Sequence, residues 1–212
     1  MDHFSLVDGQ LFAERVPLSR IADEVGTPVY VYSRATLERH ADVFREGLAG
    51  VERKHLAFAV KSNPNLAVLK VLAGRGYGAD VVSAGEMDRA LAAGIAAADI
   101  VFSGVGKTDS EMRQALAAGV GQFNIESEEE GRMLAEVANA MGLTASASLR
   151  INPDVDAGTH AKISTGKADN KFGVGLHVGP GIYQRLSELS GIQLRGVAVH
   201  IGSQLSTLEP LE

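Results

Sequence analysis

The sequence contains no cysteine among its 212 residues, and basic residues are fewer than acidic ones. The absence of cysteine excludes disulfides, thiolate metal sites and a cysteine nucleophile within this chain. A net charge of -6 argues against a nucleic-acid partner, which would require a basic surface. No apolar run approaches the roughly 18 residues of a membrane span, and the N-terminus lacks the basic start and apolar run of a signal peptide. We therefore expect a soluble cytoplasmic protein without a nucleic-acid or membrane partner.

Hydrophobic residues make up 45% of the chain, which is enough for a substantial core. From His55 onward, strand-like and helix-like segments alternate at intervals of about 20 to 25 residues. We predict strands over 56–60, 79–82, 100–102, 122–125, 145–151 and 196–199, with helices starting near Asn65, Gly85, Thr108, Ser127 and Pro180. Alternation of this kind predicts a parallel α/β sheet with helical crossovers. The regular repeat, without a topological switch, favours a (β/α) barrel over a doubly wound sheet.

The first 33 residues precede this repeat and are interpreted as a separate segment. We predict a short helix over 19–25 and a strand over 27–32, where β-branched and aromatic residues alternate. Ser33 is predicted to cap a helix over 34–48. Later in the chain, Ser127 and the three glutamates after it are predicted to form a capping box.

Polar residues follow the predicted strands, and in a barrel these strand ends converge on one face. Lys61 directly follows an apolar run, as do Arg150 within the fifth strand and His200 after the sixth. A desolvated lysine amine can act as a nucleophile, although a lysine can also extend from a strand end into solvent. Ser83, Ser103 and Glu126 also follow strands, but ordinary loop polarity accounts for them.

The stretch between Asn152 and Gly175 is the longest insertion in the repeat. Long loops of this kind are often functional, and Phe172 suggests an ordered, anchored loop, whereas a solvated connector is the alternative. Gly104-Val105-Gly106-Lys107-Thr108 resembles the end of a phosphate-binding loop but lacks its first glycine, so we interpret it as a chance match. The histidines are scattered without metal-ligand spacing, and we predict no metal site.

Several motifs together resemble the pyridoxal-phosphate-dependent decarboxylases built on an alanine-racemase-like barrel. The motifs are Phe58-Ala59-Val60-Lys61-Ser62-Asn63-Pro64-Asn65, Arg150-Ile151-Asn152-Pro153-Asp154-Val155-Asp156, Ile163-Ser164-Thr165-Gly166, Asn170-Lys171-Phe172-Gly173 and His200-Ile201-Gly202-Ser203-Gln204. The resemblance covers essentially the whole chain. It implies a (β/α)8 TIM-type barrel of the alanine-racemase-like type, with pyridoxal phosphate as cofactor.

The resemblance also implies roles for individual residues. Lys61 would hold the cofactor covalently and exchange a proton with the substrate carbon, and Asp80 would lie near both. Arg150 would approach the edge of the pyridine ring, His200 would stack on its face, and Ser203 would help to bind the phosphate. Lys61 and His200 are therefore the expected catalytic residues.

The implied reaction is decarboxylation of meso-diaminopimelate to lysine, a step of lysine biosynthesis. Decarboxylation of ornithine, arginine or another basic amino acid on the same fold remains an alternative. A non-catalytic relative that binds a partner is a second alternative, and retention of Lys61 and His200 argues against it. A cofactor-binding barrel without a further domain is a third, which the segment 1–33 makes less favourable.

A complete barrel has eight strands and typically about 250 residues, whereas about six of the eight units are present in this sequence. We expect residues 34–212 to form an incomplete cofactor-binding barrel, and residues 1–33 to pack partly with a C-terminal β-domain outside the chain. The family's phosphate loop, its glutamate partner for the pyridine nitrogen and its β-domain cysteine would also lie outside. We therefore expect the 212 residues alone to be inactive and unable to form a stable closed barrel, and the complete protein to be a homodimer.

Overall fold

The structure is a computed structural model that describes residues 2–155, 172–203, 207 and 209. Asp156, the Ile163–Gly166 motif, the pair Asn170-Lys171 and Gln204 lie outside the described residues. Among the described residues, no helix is long and apolar enough to cross a membrane.

The N-terminal segment contains a small antiparallel sheet that the sequence analysis did not predict. Its strands are β1 (Phe4–Val7), β2 (Gln10–Ala13) and β3 (Val16–Pro17), and the helix α1 (Leu18–Val25) follows directly. Asp8 and Gly9 form the two-residue turn between β1 and β2, and both have positive φ angles, of 47° and 78°. An Asp-Gly pair is a strong hairpin signal because both residues tolerate this conformation.

The predicted helix over 19–25 is confirmed, but the predicted strand over 27–32 is wrong. This stretch is irregular, the Thr27–Pro28 peptide bond is cis, and Tyr30 is 89% exposed. Alternating β-branched and aromatic residues form a strand only where a neighbouring strand can pair with them, and proline cannot donate to such a ladder.

The larger sheet contains seven parallel strands from the repeating part of the chain. They are β4 (Ala57–Ala59), β5 (Gly78–Val81), β6 (Ile100–Phe102), β7 (Gln122–Ile125), β8 (Ala145–Asn152), β9 (Val174–Gly175) and β10 (Ile192–Val199). The sheet order is β10-β8-β7-β6-β5-β4, and the short β9 pairs with the end of β8. All six strands of the main path correspond to predicted strands, and their order is that of successive units of a (β/α) barrel.

Six helices accompany these strands: α2 (Arg34–Gly47), α3 (Leu66–Gly74), α4 (Ala84–Ala92), α5 (Asp109–Ala118), α6 (Glu128–Ala140) and α7 (Gly179–Ser187). Side-chain caps mark the starts of α2 to α6, whereas α7 begins without one among the described residues. Ser33 accepts a hydrogen bond from the Thr36 N–H, and Thr108 forms a full capping box with Glu111. Ser127 caps α6 as predicted, but the predicted capping box is incomplete, because the Glu130 carboxylate bonds to Lys107 instead.

The main core lies between the sheet and its helices. Along β8, Ala147 and Leu149 are fully buried in this core, whereas the alternate residue Arg150 lines a cavity on the other face of the sheet. This alternation follows from the two-residue period of a strand. As a result, polar side chains line the inner face of the barrel, and apolar side chains cover its outer face.

Candidate active site

A cavity of about 540 Å3 opens at the carboxyl ends of the parallel strands. Four of the five predicted site residues line it, namely Lys61, Asp80, Arg150 and His200. The fifth, Ser203, is exposed and is not part of the cavity wall. The structure therefore brings together residues that are up to 139 positions apart in the chain, from Lys61 to His200.

Lys61 reaches the cavity from a short 3-10 turn, Val60–Ser62, that follows β4. Val60 is fully buried and anchors the turn, while the Ser62 hydroxyl donates to the Ala59 carbonyl and the Asn63 N–H donates to the Val60 carbonyl. The predicted strand therefore ends one residue earlier than expected. Lys61 itself is exposed to solvent at the cavity mouth.

Asp80 lies on β5, beside the end of β6. The Ser103 hydroxyl donates a hydrogen bond to its carboxylate. Burial raises the pKa of Asp80, and the Ser103 hydrogen bond together with the electrostatic influence of Lys61, His200 and Arg150 opposes that increase. Asp80 is therefore an acidic side chain surrounded by three basic side chains.

A row of polar side chains extends from Asp80 along the inner face of the barrel. The Asn124 amide nitrogen donates to the Ser103 hydroxyl oxygen over 2.9 Å, and the Gln122 amide nitrogen donates to the Asn124 amide oxygen over 2.8 Å. Ser103 was expected to be an ordinary loop residue, but it lies in the cavity wall.

Glu126 links two parts of the cavity wall. Its carboxylate accepts a hydrogen bond from the Arg150 guanidinium over 2.7 Å and another from the Gly173 N–H over 2.8 Å. The Arg150 guanidinium also lies 4.9 Å from the centre of the Phe172 ring. A Cβ on Gly173 would approach the Arg150 carbonyl oxygen to 2.9 Å, and the φ angle of Gly173 is 68°, so glycine suits this contact.

Of the three residues that were attributed to ordinary loop polarity, Ser103 and Glu126 need correction, whereas the interpretation of Ser83 stands. Glu126 and Ser103 contact the predicted site residues Arg150 and Asp80 directly, rather than serving as solvated strand ends. Ser83, in contrast, caps α4 by accepting from the Glu86 N–H. The end of the insertion, Phe172-Gly173, is anchored as predicted.

His200 follows β10 directly, and its ring faces the cavity. Partial desolvation lowers the pKa of His200, and the positive charges of Arg150 and Lys61 lower it further. The lowered pKa favours the neutral imidazole at pH 7. Within the described ranges, no three metal-ligating side chains come together.

Lys107 is buried, with only 5% of the residue exposed. Its ammonium group donates to the Gly104 and Asn124 carbonyls, each over 2.7 Å, and to the Glu130 carboxylate over 2.6 Å. Burial raises the pKa of Glu130, and the charge of Lys107 opposes that increase. The stretch that includes Lys107 is thus a structural link between β6, β7 and α6, in keeping with the conclusion that its likeness to a phosphate loop is a chance match.

Residues 34–212 match the model of the pyridoxal-dependent decarboxylase family, specifically its pyridoxal-binding domain. The chain belongs to this family. The match begins at the first residue of α2 and covers every strand of the larger sheet.

Individual proteins and solved structures are also similar to the chain over most of its length. The chain is 54% identical to diaminopimelate decarboxylase from Pseudomonas aeruginosa over 211 residues, which are 99% of this chain and 50% of that protein. The solved structure of diaminopimelate decarboxylase from Helicobacter pylori complexed with L-lysine matches with a TM-score of 0.86 at 40% identity, over 92% of this chain and 49% of that one. The enzyme from M. jannaschii in complex with L-lysine gives a TM-score of 0.88 at 34% identity, over 100% and 51%. The chain thus spans about half the length of the relatives that it matches.

Proposed function

We propose that the full-length protein carrying this chain is a pyridoxal-phosphate-dependent decarboxylase that converts meso-diaminopimelate to lysine. The observation that carries the proposal is the convergence of Lys61, Asp80, Arg150 and His200 on one cavity at the strand ends. The 54% identity to a diaminopimelate decarboxylase supports the choice of substrate. The same likeness supports a cytoplasmic homodimer that acts in lysine biosynthesis.

The residues of the cavity suit this cofactor. Its volume of about 540 Å3 lies within the range of pockets for small organic ligands. Lys61 provides an accessible primary amine, the group that a pyridoxal aldehyde requires. Arg150 adds a positive charge that complements an anionic ligand, and the neutral ring of His200 provides a flat surface.

Bound pyridoxal phosphate would act as an electron sink for the carbon that loses carbon dioxide. Lys61 would hold the cofactor through its side-chain nitrogen and deliver a proton to the substrate carbon. Asp80 would stabilise positive charge on that nitrogen, as the mutual charge interaction of the two groups supports. Arg150 would be held by Glu126 with its charge toward the cavity, and His200 would pack against the ring. We retain Ser203 as a phosphate ligand, although its exposed position needs a further segment to complete the site.

We also propose that the N-terminal segment, residues 1–33, packs partly against a β-rich domain beyond the barrel, with residues 34–212 as an incomplete barrel. Several apolar side chains support this proposal, because they are exposed in the segment: Leu6 is 72% exposed, Val25 69% and Tyr30 89%. Exposed apolar side chains of this number in a short segment favour coverage by another surface. Deleting residues 1–33 should therefore expose apolar surface on the full-length protein, which increased binding of a hydrophobic dye would detect.

The covalent role of Lys61 can be tested on the full-length protein. Reduction of the cofactor-loaded protein with borohydride, followed by digestion and mass spectrometry, should locate the pyridoxyl group on Lys61. Lys61→Ala should abolish decarboxylation rather than raise KM, because it removes a covalent participant in the chemical steps. Lys70→Ala is the matched control, since Lys70 is exposed on α3 and should not carry the group. An adduct on another lysine of an active protein would contradict the assignment.

The substrate is tested separately by comparing kcat/KM for meso-diaminopimelate, ornithine and arginine. We expect the value for meso-diaminopimelate to exceed the others. A preference for ornithine or arginine would retain the decarboxylase chemistry and overturn the choice of substrate.

A further inference from the structure

Three polar side chains inside the barrel form a single row that ends on Asp80. Gln122 and Asn124 lie two residues apart on β7, so both point to the inner face of the sheet. Ser103 follows β6, the neighbouring strand, and its hydroxyl is within hydrogen-bond distance of both Asn124 and Asp80. The row therefore crosses two strands and joins the barrel interior to the carboxylate of the cavity.

The donors of this row all point the same way. Asn124 donates to the Ser103 oxygen, so the hydroxyl proton of Ser103 is left for the Asp80 carboxylate. The oxygen of the Asn124 amide is occupied by the Gln122 donor, which favours this orientation of the amide. Each bond fixes the direction of the next, and successive hydrogen bonds polarise one another in a low-dielectric environment.

The end of such a row favours the ionised carboxylate, in which both oxygens accept. Hydrogen bonds to a charged acceptor are stronger than neutral ones. We propose that Ser103, Asn124 and Gln122 are positioning residues that keep Asp80 ionised and oriented in the cavity that Lys61 enters. This inference rests on the proposed function, in which the nitrogen of Lys61 carries the cofactor and Asp80 stabilises its positive charge.

The electrostatics of the site show why such a row is needed. Burial raises the pKa of Asp80, and the Ser103 hydrogen bond is the first of the influences that lower it again. The electrostatic influence of Lys61, His200 and Arg150 acts in the same direction. The charge on Lys61 changes during catalysis if its nitrogen takes part in proton exchange, whereas the neutral row supports Asp80 throughout.

A purely structural role would have a different consequence. If the row only satisfies polar groups inside the barrel, its removal lowers stability and leaves the titration of Asp80 unchanged. The deciding measurement is therefore the titration of the Asp80 carboxyl in the full-length protein, by 13C NMR, with the signal assigned by its loss in Asp80→Asn.

We expect Ser103→Ala to raise the Asp80 pKa by about 1 to 2 pH units, because a hydrogen bond to a charged group is lost. Ser103→Thr keeps the hydroxyl and should shift the midpoint far less. Asn124→Leu, similar in size to the native residue, removes the donor that directs the hydroxyl and should produce a smaller rise. Gln114→Leu is the matched control, because it removes an amide that bonds to Asp88 on an exposed surface.

The cofactor-loaded protein provides a second measurement, the pH dependence of its visible absorbance. In Ser103→Ala, Asp80 is protonated more easily and stabilises positive charge on the Lys61 nitrogen less well. The pH midpoint of the absorbance change should therefore be lower in Ser103→Ala than in the wild type, and unchanged in Ser103→Thr. Unchanged Asp80 titration in both Ser103→Ala and Asn124→Leu would overturn the inference, as would an equal shift in Ser103→Thr. If Ser103→Ala fails to fold, the Asn124→Leu titration decides alone. The NMR measurement requires neither turnover nor cofactor. It therefore tests this inference even if the proposed function is wrong.

Discussion

Removing the charge of Lys107 should destabilise the protein more than any surface ion-pair change. The side chain of Lys107 is 1% exposed and that of its partner Glu130 is 9% exposed. The three donors of the ammonium group have three acceptors, two of which are backbone carbonyls on the β6–α5 loop and on β7. Lys107→Met keeps much of the side-chain volume and leaves all three acceptors without this partner.

The magnitude follows from the burial of the pair. Breaking a buried ion pair by removing one partner costs about 3 to 5 kcal/mol, because the remaining charge stays uncompensated. Glu130 can lessen this cost by taking up a proton, since burial already raises its pKa. We therefore expect a loss of about 3 kcal/mol in the free energy of unfolding, a large share of a typical stability of about 5 to 15 kcal/mol.

Urea unfolding of the full-length protein, followed by far-UV circular dichroism, measures this loss. The double variant Lys107→Met/Glu130→Leu removes both charges and should recover part of it, because replacing both members of a buried pair by apolar groups is often neutral or stabilising. Arg113→Met is the matched control, since its ion pair with Asp109 is exposed and its removal should leave the unfolding midpoint unchanged. A loss below about 1 kcal/mol in Lys107→Met, or a double variant less stable than the single one, would refute the reasoning.

Two further predictions concern the site and the surface. His200→Phe keeps a flat ring and should bind pyridoxal phosphate roughly 2- to 12-fold more tightly than His200→Ala in equilibrium dialysis, whereas equal losses would argue against stacking. Ion pairs with Arg185 and Arg132 lower the pKa of Glu128 from 4.5 to about 2, so their stabilisation is present above about pH 4.5 and is lost as the pH falls toward 2. The difference in urea midpoint between wild type and Glu128→Gln should therefore be constant at neutral pH and shrink steadily as the pH falls from 4.5 to 2, and a difference that is undiminished at pH 2 would contradict this.

The repeating part of the fold could be predicted because its signals are local. Most strands contain a short apolar run, and five of the six helices begin at a capping residue such as Thr108 or Ser127. The N-terminal sheet was missed although the Asp8-Gly9 pair is a hairpin signal, because the strands that flank it are only four residues long. The strand over 27–32 was predicted wrongly because alternating residue types in a sequence do not show whether a partner strand exists to pair with them.

The site was predicted only in part for a related reason. Lys61, Arg150 and His200 each adjoin an apolar run, and that contrast is visible in the sequence. Ser103 and Glu126 have the same local context as any polar loop residue. Their importance depends on the partners that neighbouring strands place beside them, and the relative register of parallel strands cannot be read from a single sequence.

Alternate residues of β8 face opposite sides of the sheet, so the residues that pack the core and the residues that line the cavity can be substituted independently. Ala147 and Leu149 belong to the core beneath the helices, while Arg150 faces the cavity on the opposite side of the same backbone. Substitutions at inward positions can thus alter ligand chemistry without removing packing from the outer core. A laboratory search for new substrates would therefore do best to randomise the inward positions of β7 and β8 and leave the outward ones fixed. In such libraries, more members should remain folded than in libraries of equal size that target Ala147 and Leu149.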